Sequence, residues 1–243
     1  MVEKRKLSKS QMNLYKQCPL KWKFRYIDKL SSEPSEAMER GIMIHKQIEE
    51  FYSKIKLVSS ENIPHLELGL TQIIPNNFLN FERSRIQGCV DKDGKYKEEY
   101  FKPLFQELDI TSKDLALRGI IDAVYINPKD DGLIVIDWKT GKYRPNSLSG
   151  YRFELALYKE LLEQSDYTNK KVLYWGIYFV DADKLFFEKV KPISIKAMWN
   201  TVNKVREGIE SGNHEPKENM FCRWCEHYNK CPLWRNNDIY SKK

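Results

Sequence analysis

The chain has 243 residues, 41% hydrophobic and 31% charged, a balance that belongs to a globular protein and excludes a disordered one. Its net charge of +7 and pI near 9.0 suit a polyanionic partner without demanding one. No apolar run approaches the roughly 18 residues of a membrane span. The charged start "MVEKRKLSKS" lacks the apolar core of a secretory signal, so a cytoplasmic location is expected and the five cysteines read as reduced thiols or metal ligands rather than disulfides.

In chain order, "LSKSQMNLYKQCPLKWKFRYI" (7–27) predicts a short helix pair, with Ser8 or Ser10 as N-cap and Pro19 starting the second helix. Pro34-Ser35 then opens a helix of about five turns. Its apolar residues fall on two faces, Met38, Ile42 and Tyr52 on one and Ile44, Ile48, Phe51 and Ile55 on the other, which predicts a helix sandwiched between layers. Residues 57–114 read as a helical insertion with an irregular middle. "LALRGIIDAVYI", the turn "NPKDDG" and "LIVIDWK" then predict a β-hairpin. A helix over 151–164, a second hairpin over 171–190 and a helix over 193–212 stopped by Gly212 follow. There are no internal repeats. The expected architecture is α/β, a mixed central sheet flanked by helices in a single domain, 1–243.

The first hairpin carries the chemistry. If it is symmetric about its turn, Asp122 and Asp137 stand opposite each other with Cβ atoms about 5 Å apart. Two bare carboxylates that close repel, and one stays protonated unless a cation intervenes. A hard divalent ion, Mg²⁺ or Mn²⁺, is one such cation, and a neighbouring Arg118 or Lys139 is the other. Along the strand Asp137 and Lys139 share a face and Trp138 takes the other. His45 lies one helical turn after Gly41, whose missing side chain would let the helix approach a sheet closely.

The C-terminal run Cys222-x-x-Cys225-x5-Cys231-Pro places three thiols within ten residues, one short of a closed metal site. Cys18, Cys89 and His227 are the candidates for a fourth ligand. Zinc bound by three cysteines and His227 and a [4Fe–4S] cluster with a fourth thiolate both remain open on spacing alone. "KWKFRYIDK" and "FCRWCEHYNKCPLWR" interleave basic and aromatic residues, a mixture suited to single-stranded DNA. Lys21, Lys23, Arg25, Lys142 and Arg144 are the expected phosphate contacts.

Gly41-x-x-x-His45, "RGIID" ending at Asp122, "IDWKTG" with Asp137 and Lys139, and "ELALY" from Glu154 to Tyr158 resemble, in this order, the motifs of the PD-(D/E)XK nuclease superfamily. The nearest likeness is to its RecB-like branch, over about residues 7–233. Glu154 stands where that pattern has Gln. The resemblance implies a restriction-endonuclease-like core. It implies a divalent metal held by His45, Asp122, Asp137 and the Trp138 carbonyl. It also implies that Lys139 acts on the attacking water or offsets charge at phosphorus, with Glu154 and Tyr158 in the same groove. Glu107 stands where relatives often carry an acid and is left outside the ligand set.

A subset of these nucleases, including the AddB nuclease domain and the exonucleases of CRISPR adaptation, has one cysteine before GxxxH and three at the C-terminus. That likeness implies a structural [4Fe–4S] cluster on Cys18, Cys222, Cys225 and Cys231, with residues 7–27 and 213–235 as its region and Cys89 a free thiol. The expected function is a metal-dependent DNA exonuclease acting on single strands or DNA ends. A flap or branch endonuclease, or a non-catalytic DNA-binding subunit, is the alternative. No protein partner is named by the sequence.

Overall fold

The computed structural model describes residues 5–30, 35–58, 63–69 and 73–234. Pro34, expected at a helix start, and residue 235, the expected end of the cluster region, lie outside them. The chain divides into two compact units, one of residues 1–6 and 35–195, the other of residues 7–34 and 196–243.

The first two helices, α1 (Lys9–Gln17) and α2 (Pro19–Tyr26), belong to the smaller unit. The larger unit opens with α3 (Glu36–Lys54), capped by the Ser35 side chain on the Met38 N–H. Then come β1 (Lys56–Val58) and β2 (His65–Glu67), a two-stranded antiparallel pair, α4 (Asn76–Arg85) and the short α5 (Glu98–Phe101). The main sheet follows: β3 (Phe105–Ser112), β4 (Leu117–Ile126) and β5 (Leu133–Lys139), then α6 (Leu148–Glu163), β6 (Val172–Phe179) and β7 (Lys184–Lys189). Its order is β3-β4-β5-β6-β7, antiparallel throughout except for the parallel pair β5–β6. A parallel pair needs a crossover, and α6 supplies it, lying against β4, β5 and β6. The mixed α/β architecture expected from the sequence is the one observed.

Two expectations change here. Residues 105–112, placed in the helical insertion, form an edge strand of the main sheet, and the insertion also holds the β1–β2 pair. Glu107 and Asp109 interrupt the apolar alternation by which a strand is recognised, and pairing with β4 organises the segment instead. The second concerns α3, which is not sandwiched. Ile44, Ile48, Phe51 and Tyr52 are buried, whereas Met38 and Ile42 are more than half exposed. The buried stripe joins Phe78 of α4 and Ala123, Tyr125, Ile136, Trp138 and Tyr178 of the sheet in one apolar core. Aromatic edges meet there, Phe78 on Trp138 at 5.2 Å and Phe51 on Phe78 at 5.3 Å.

The smaller unit consists of α1, α2, most of α7 (Pro192–Glu210) and the C-terminal tail with two single turns at Cys222–Trp224 and Tyr228–Lys230. Met12, Trp22, Met198, Val202 and Val205 are its buried apolar residues. Tyr15 donates to the Asn213 carbonyl at 2.6 Å, tying α1 to the segment after α7. Among the described residues no helix is long and apolar enough to cross a membrane.

Candidate active site

The β4–β5 hairpin pairs Ala123 with Ile136, Val124 with Val135 and Tyr125 with Ile134, the register expected from symmetry about its turn. Asp122 and Asp137 come one step further along, both nearly buried. Alternation on β5 sends Trp138 into the apolar core with α3 and α4. Asp137 and Lys139 turn the other way, where α6 brings Glu154. The Lys139 Nζ lies 2.5 Å from Asp137 Oδ2 and 3.3 Å from Glu154 Oε2. Burial works against its charge, but Asp137, Glu154 and Asp122 outweigh this and raise its pKa, so the amine is a cation and a donor. Tyr158, one turn along α6, donates to Glu154 Oε1 at 3.2 Å.

Gly119 of "RGIID" makes room for that tyrosine. A Cβ there would stand 3.0 Å from the Tyr158 ring and 3.1 Å from Leu161. Gly41 has a weaker steric role than its position suggested, since a Cβ would only touch Thr140 Oγ1 at 3.5 Å. The α3 helix is instead fastened at this point by Arg40, which donates to the Thr140 carbonyl and pairs with both Asp181 oxygens.

His45 projects from α3 toward the hairpin. Its Nε2 donates to the Trp138 carbonyl at 3.0 Å, and its Nδ1 faces Glu107 Oε1 at 3.5 Å and Asp122 Oδ1 at 3.6 Å. Burial disfavours the imidazolium, but the hydrogen bond to Glu107 and the charges of Asp122, Glu107 and Asp137 prevail and raise its pKa to about 9. Asp122 is pushed the opposite way from an ordinary surface carboxylate. Burial and then Asp137 raise its pKa, against the pull of His45, Lys139 and the Trp138 N–H that donates to Oδ2 at 2.7 Å.

Among the described residues, one set of three acidic or histidine side chains brings its ligand atoms within 4.8 Å of one another: His45, Glu107 and Asp122. Glu107, left out of the expected ligand set, is thus at its centre, and Asp137 is turned to Lys139. Glu107 stands on β3 between Gln106, paired with Ala123, and Leu108, paired with Ile121, which sets it across from Asp122. Its φ of 44° is the left-handed region that a non-glycine residue enters only when its surroundings hold it. An acid interrupting a strand was the signal available in the sequence. The donor set fits a hard cation, all oxygen and imidazole. The 3.0 Å between His45 Nε2 and the Trp138 oxygen is also close to the edge of an octahedron with bonds of about 2.1 Å.

In the smaller unit, Cys18, Cys222, Cys225 and Cys231 line one cavity together with Lys21, Lys217 and Tyr228. Each sulfur meets a main-chain N–H. Lys217 donates to Cys18 at 3.4 Å and Asn219 to Cys222 at 3.3 Å, while the N–H groups of His227 and of Leu233 and Trp234 face Cys225 and Cys231. His227 packs edge-on against Phe24 at 5.2 Å. Cys89 belongs to the larger unit. The sequence placed it in a polar turn, but it is buried in the apolar core at 3% exposure, hydrogen-bonded to the Arg85 and Tyr100 carbonyls, and burial raises its thiol to a pKa of about 11. Of the expected phosphate contacts, Lys21 is paired with Glu226 at 2.7 Å and Lys23 with Asp28 at 2.7 Å. Lys142 and Arg144 are exposed on the loop after β5, and Arg25 lies beside the Tyr26 ring.

Comparison with known proteins agrees with this constellation. Over an 87-residue alignment covering 32% of the chain, it is 37% identical to an ATP-dependent helicase/nuclease of Streptococcus pyogenes, in strains Manfredo and NZ131. The match spans only 7% of the length of those relatives. Among solved structures, that of SSO0001 aligns over 96% of this chain and 89% of its own at 12% identity and a TM-score of 0.49. The family model of the PD-(D/E)XK nuclease superfamily matches residues 6–232, nearly the whole chain and all the site residues above, and the chain belongs to that superfamily.

Proposed function

We propose that the protein is a divalent-metal-dependent DNA exonuclease, acting on single strands or DNA ends, with a structural [4Fe–4S] cluster in its smaller unit. The observation that carries the nuclease reading is the convergence of His45, Glu107 and Asp122 beside the Asp137–Lys139–Glu154 cluster. Mg²⁺ or Mn²⁺ bound there would polarise a phosphodiester and lower the pKa of a coordinated water. His45, Glu107, Asp122 and the Trp138 carbonyl hold the ion, and Asp137 completes the set when Lys139 releases it toward the substrate. The Lys139 ammonium, short of water and flanked by carboxylates, orients the nucleophile and offsets negative charge developing at phosphorus. Being protonated, it is a donor in that step. Glu154 and Tyr158 keep the lysine pointed into the groove. Lys142 and Arg144 offer charge to the flanking phosphates.

Two observations favour the cluster over a zinc ion. Among the described residues no three of the cysteine sulfurs lie within 4.8 Å of one another. Zinc–sulfur bonds of about 2.3 Å would draw them to under 4 Å, whereas a polynuclear cluster keeps its thiolates further apart. The N–H groups aimed at the sulfurs stabilise thiolates and belong with a cluster tuned by such bonds.

Digestion of end-labelled single-stranded, duplex and covalently closed DNA with Mg²⁺ or Mn²⁺ tests the first half. Release of nucleotides from ends is expected, and cutting of closed circles would instead select a structure-specific endonuclease. Anaerobic purification tests the second: a brown protein containing iron is expected, and zinc without iron would overturn the cluster.

A further inference from the structure

The smaller unit carries a cleft of about 800 Å³ that is separate from the cysteine cavity and whose polar lining is cationic. Thr201, Lys204 and Val205 come from one face of α7, at positions i, i+3 and i+4. Tyr15, Lys16 and Pro19 come from the α1–α2 junction, and Lys217 from the tail. No carboxylate is among its lining residues. Three lysines on three segments facing one open cleft repel one another, an arrangement that gains from an anion between them.

We propose that this cleft is a phosphate-backbone subsite for a nucleic-acid strand. The inference rests on the nuclease reading and adds to it a strand path over α1 and α7. Lys21 and Lys23 of α2 are already in short ion pairs with Glu226 and Asp28, so phosphate contact there must first break those pairs. Lys16 and Lys204 are exposed, and Thr201 beside them is half-buried and able to donate a hydroxyl hydrogen bond to a phosphate oxygen. The open shape suits a strand, whose phosphates pass through, better than a nucleotide that has to be enclosed. The cleft is also tied to the cysteine site. Lys217 donates its main-chain N–H to the Cys18 sulfur at 3.4 Å and its Nζ to the Lys16 carbonyl at 3.1 Å, so one residue borders both.

The test measures binding of a fluorescent oligothymidylate by anisotropy in EDTA, over a range of salt, for the full chain, for Lys16→Gln/Lys204→Gln, and for Lys184→Gln/Lys189→Gln on β7 as a charge-matched control. Removing two phosphate contacts from a single-strand site makes the slope of log K against log salt shallower by about 1.4 and raises the dissociation constant roughly tenfold. The control pair keeps the wild-type slope. An unchanged slope in the cleft variant, or an equal change in the control, overturns the proposal. A second arm with inorganic pyrophosphate separates a strand path from a small-anion site: pyrophosphate binding lost in the variant at an unchanged oligonucleotide slope also overturns it. Failure of the nuclease reading looks different, as oligonucleotide binding with the expected slope change but no cleavage in Mg²⁺ or Mn²⁺.

Discussion

Replacing Lys139 with alanine removes the one ammonium between Asp137 and Glu154, at 2.5 and 3.3 Å from their oxygens, and leaves those carboxylates beside Asp122 in a largely buried site. Breaking a buried pair from one side costs about 3–5 kcal/mol. A second limit comes from titration. A carboxyl with an unfolded pKa near 4 costs roughly 4 kcal/mol to protonate at pH 7, at about 1.4 kcal/mol per unit, so the metal-free variant loses no more than this before it takes up a proton. A carboxyl whose folded pKa is raised destabilises the protein above its unfolded pKa. The penalty is therefore largest at neutral pH and fades as pH falls toward about 4. Thermal melts of wild type, Lys139→Ala and Lys139→Met in EDTA from pH 7.5 to 4.5 measure it, the methionine keeping most of the aliphatic stem. Both variants should converge on the wild type at low pH, and Mg²⁺ should recover part of the loss at pH 7. A deficit in Lys139→Ala that is independent of pH and absent in Lys139→Met would show that stem packing matters and the charge does not. Below their melting temperatures both variants should lose about 10²–10³ in cleavage rate, the size of a lost donor to a developing oxyanion.

Glu107→Gln should lower the His45 pKa from about 9, since the hydrogen bond and charge of Glu107 help to raise it. NMR titration of the imidazole in EDTA reads this, and an unmoved pKa would separate Glu107 from the site. Cys18→Ser should lose iron, whereas Cys89→Ser keeps it at a stability cost of about 1–3 kcal/mol, because a hydroxyl replaces a thiol inside the apolar core. The reverse pattern of iron loss would refute the ligand assignment. Glu188 accepts from Arg152, Lys191 and the Trp175 indole, which together overcome burial and lower its pKa to about 2. Its contribution is complete above the unfolded value near 4.5 and disappears as pH falls toward 2. The gap in melting temperature between wild type and Glu188→Gln should close over that range, and a gap that widens on acidification would contradict the assignment.

The β4–β5 hairpin was legible in full, because its register depends on residues a few positions apart and on the strict alternation of a strand. Symmetry about "NPKDDG" is enough to bring Asp122 alongside Asp137 and to set Lys139 on the same face. The helices α1, α2, α6 and α7 were legible for the same reason, their caps and periodicity being local. Glu107 was not, since its place across from Asp122 follows from β3 pairing with β4 and from a left-handed residue that no local pattern announces. Periodicity likewise assigned apolar residues to two faces of α3 but could not say that only one face is covered, leaving Met38 and Ile42 in solvent. Cys89 looked like a turn residue because its neighbours are polar, and the core that encloses it is assembled from α3, α4 and the sheet. The ion pairs that occupy Lys21 and Lys23, and the cleft that gathers Lys16, Lys204 and Lys217, join residues from separate segments of the smaller unit or across a turn. A sequence specifies which side chains share a face. Which face is covered, and by which distant charge, is decided only when the segments pack.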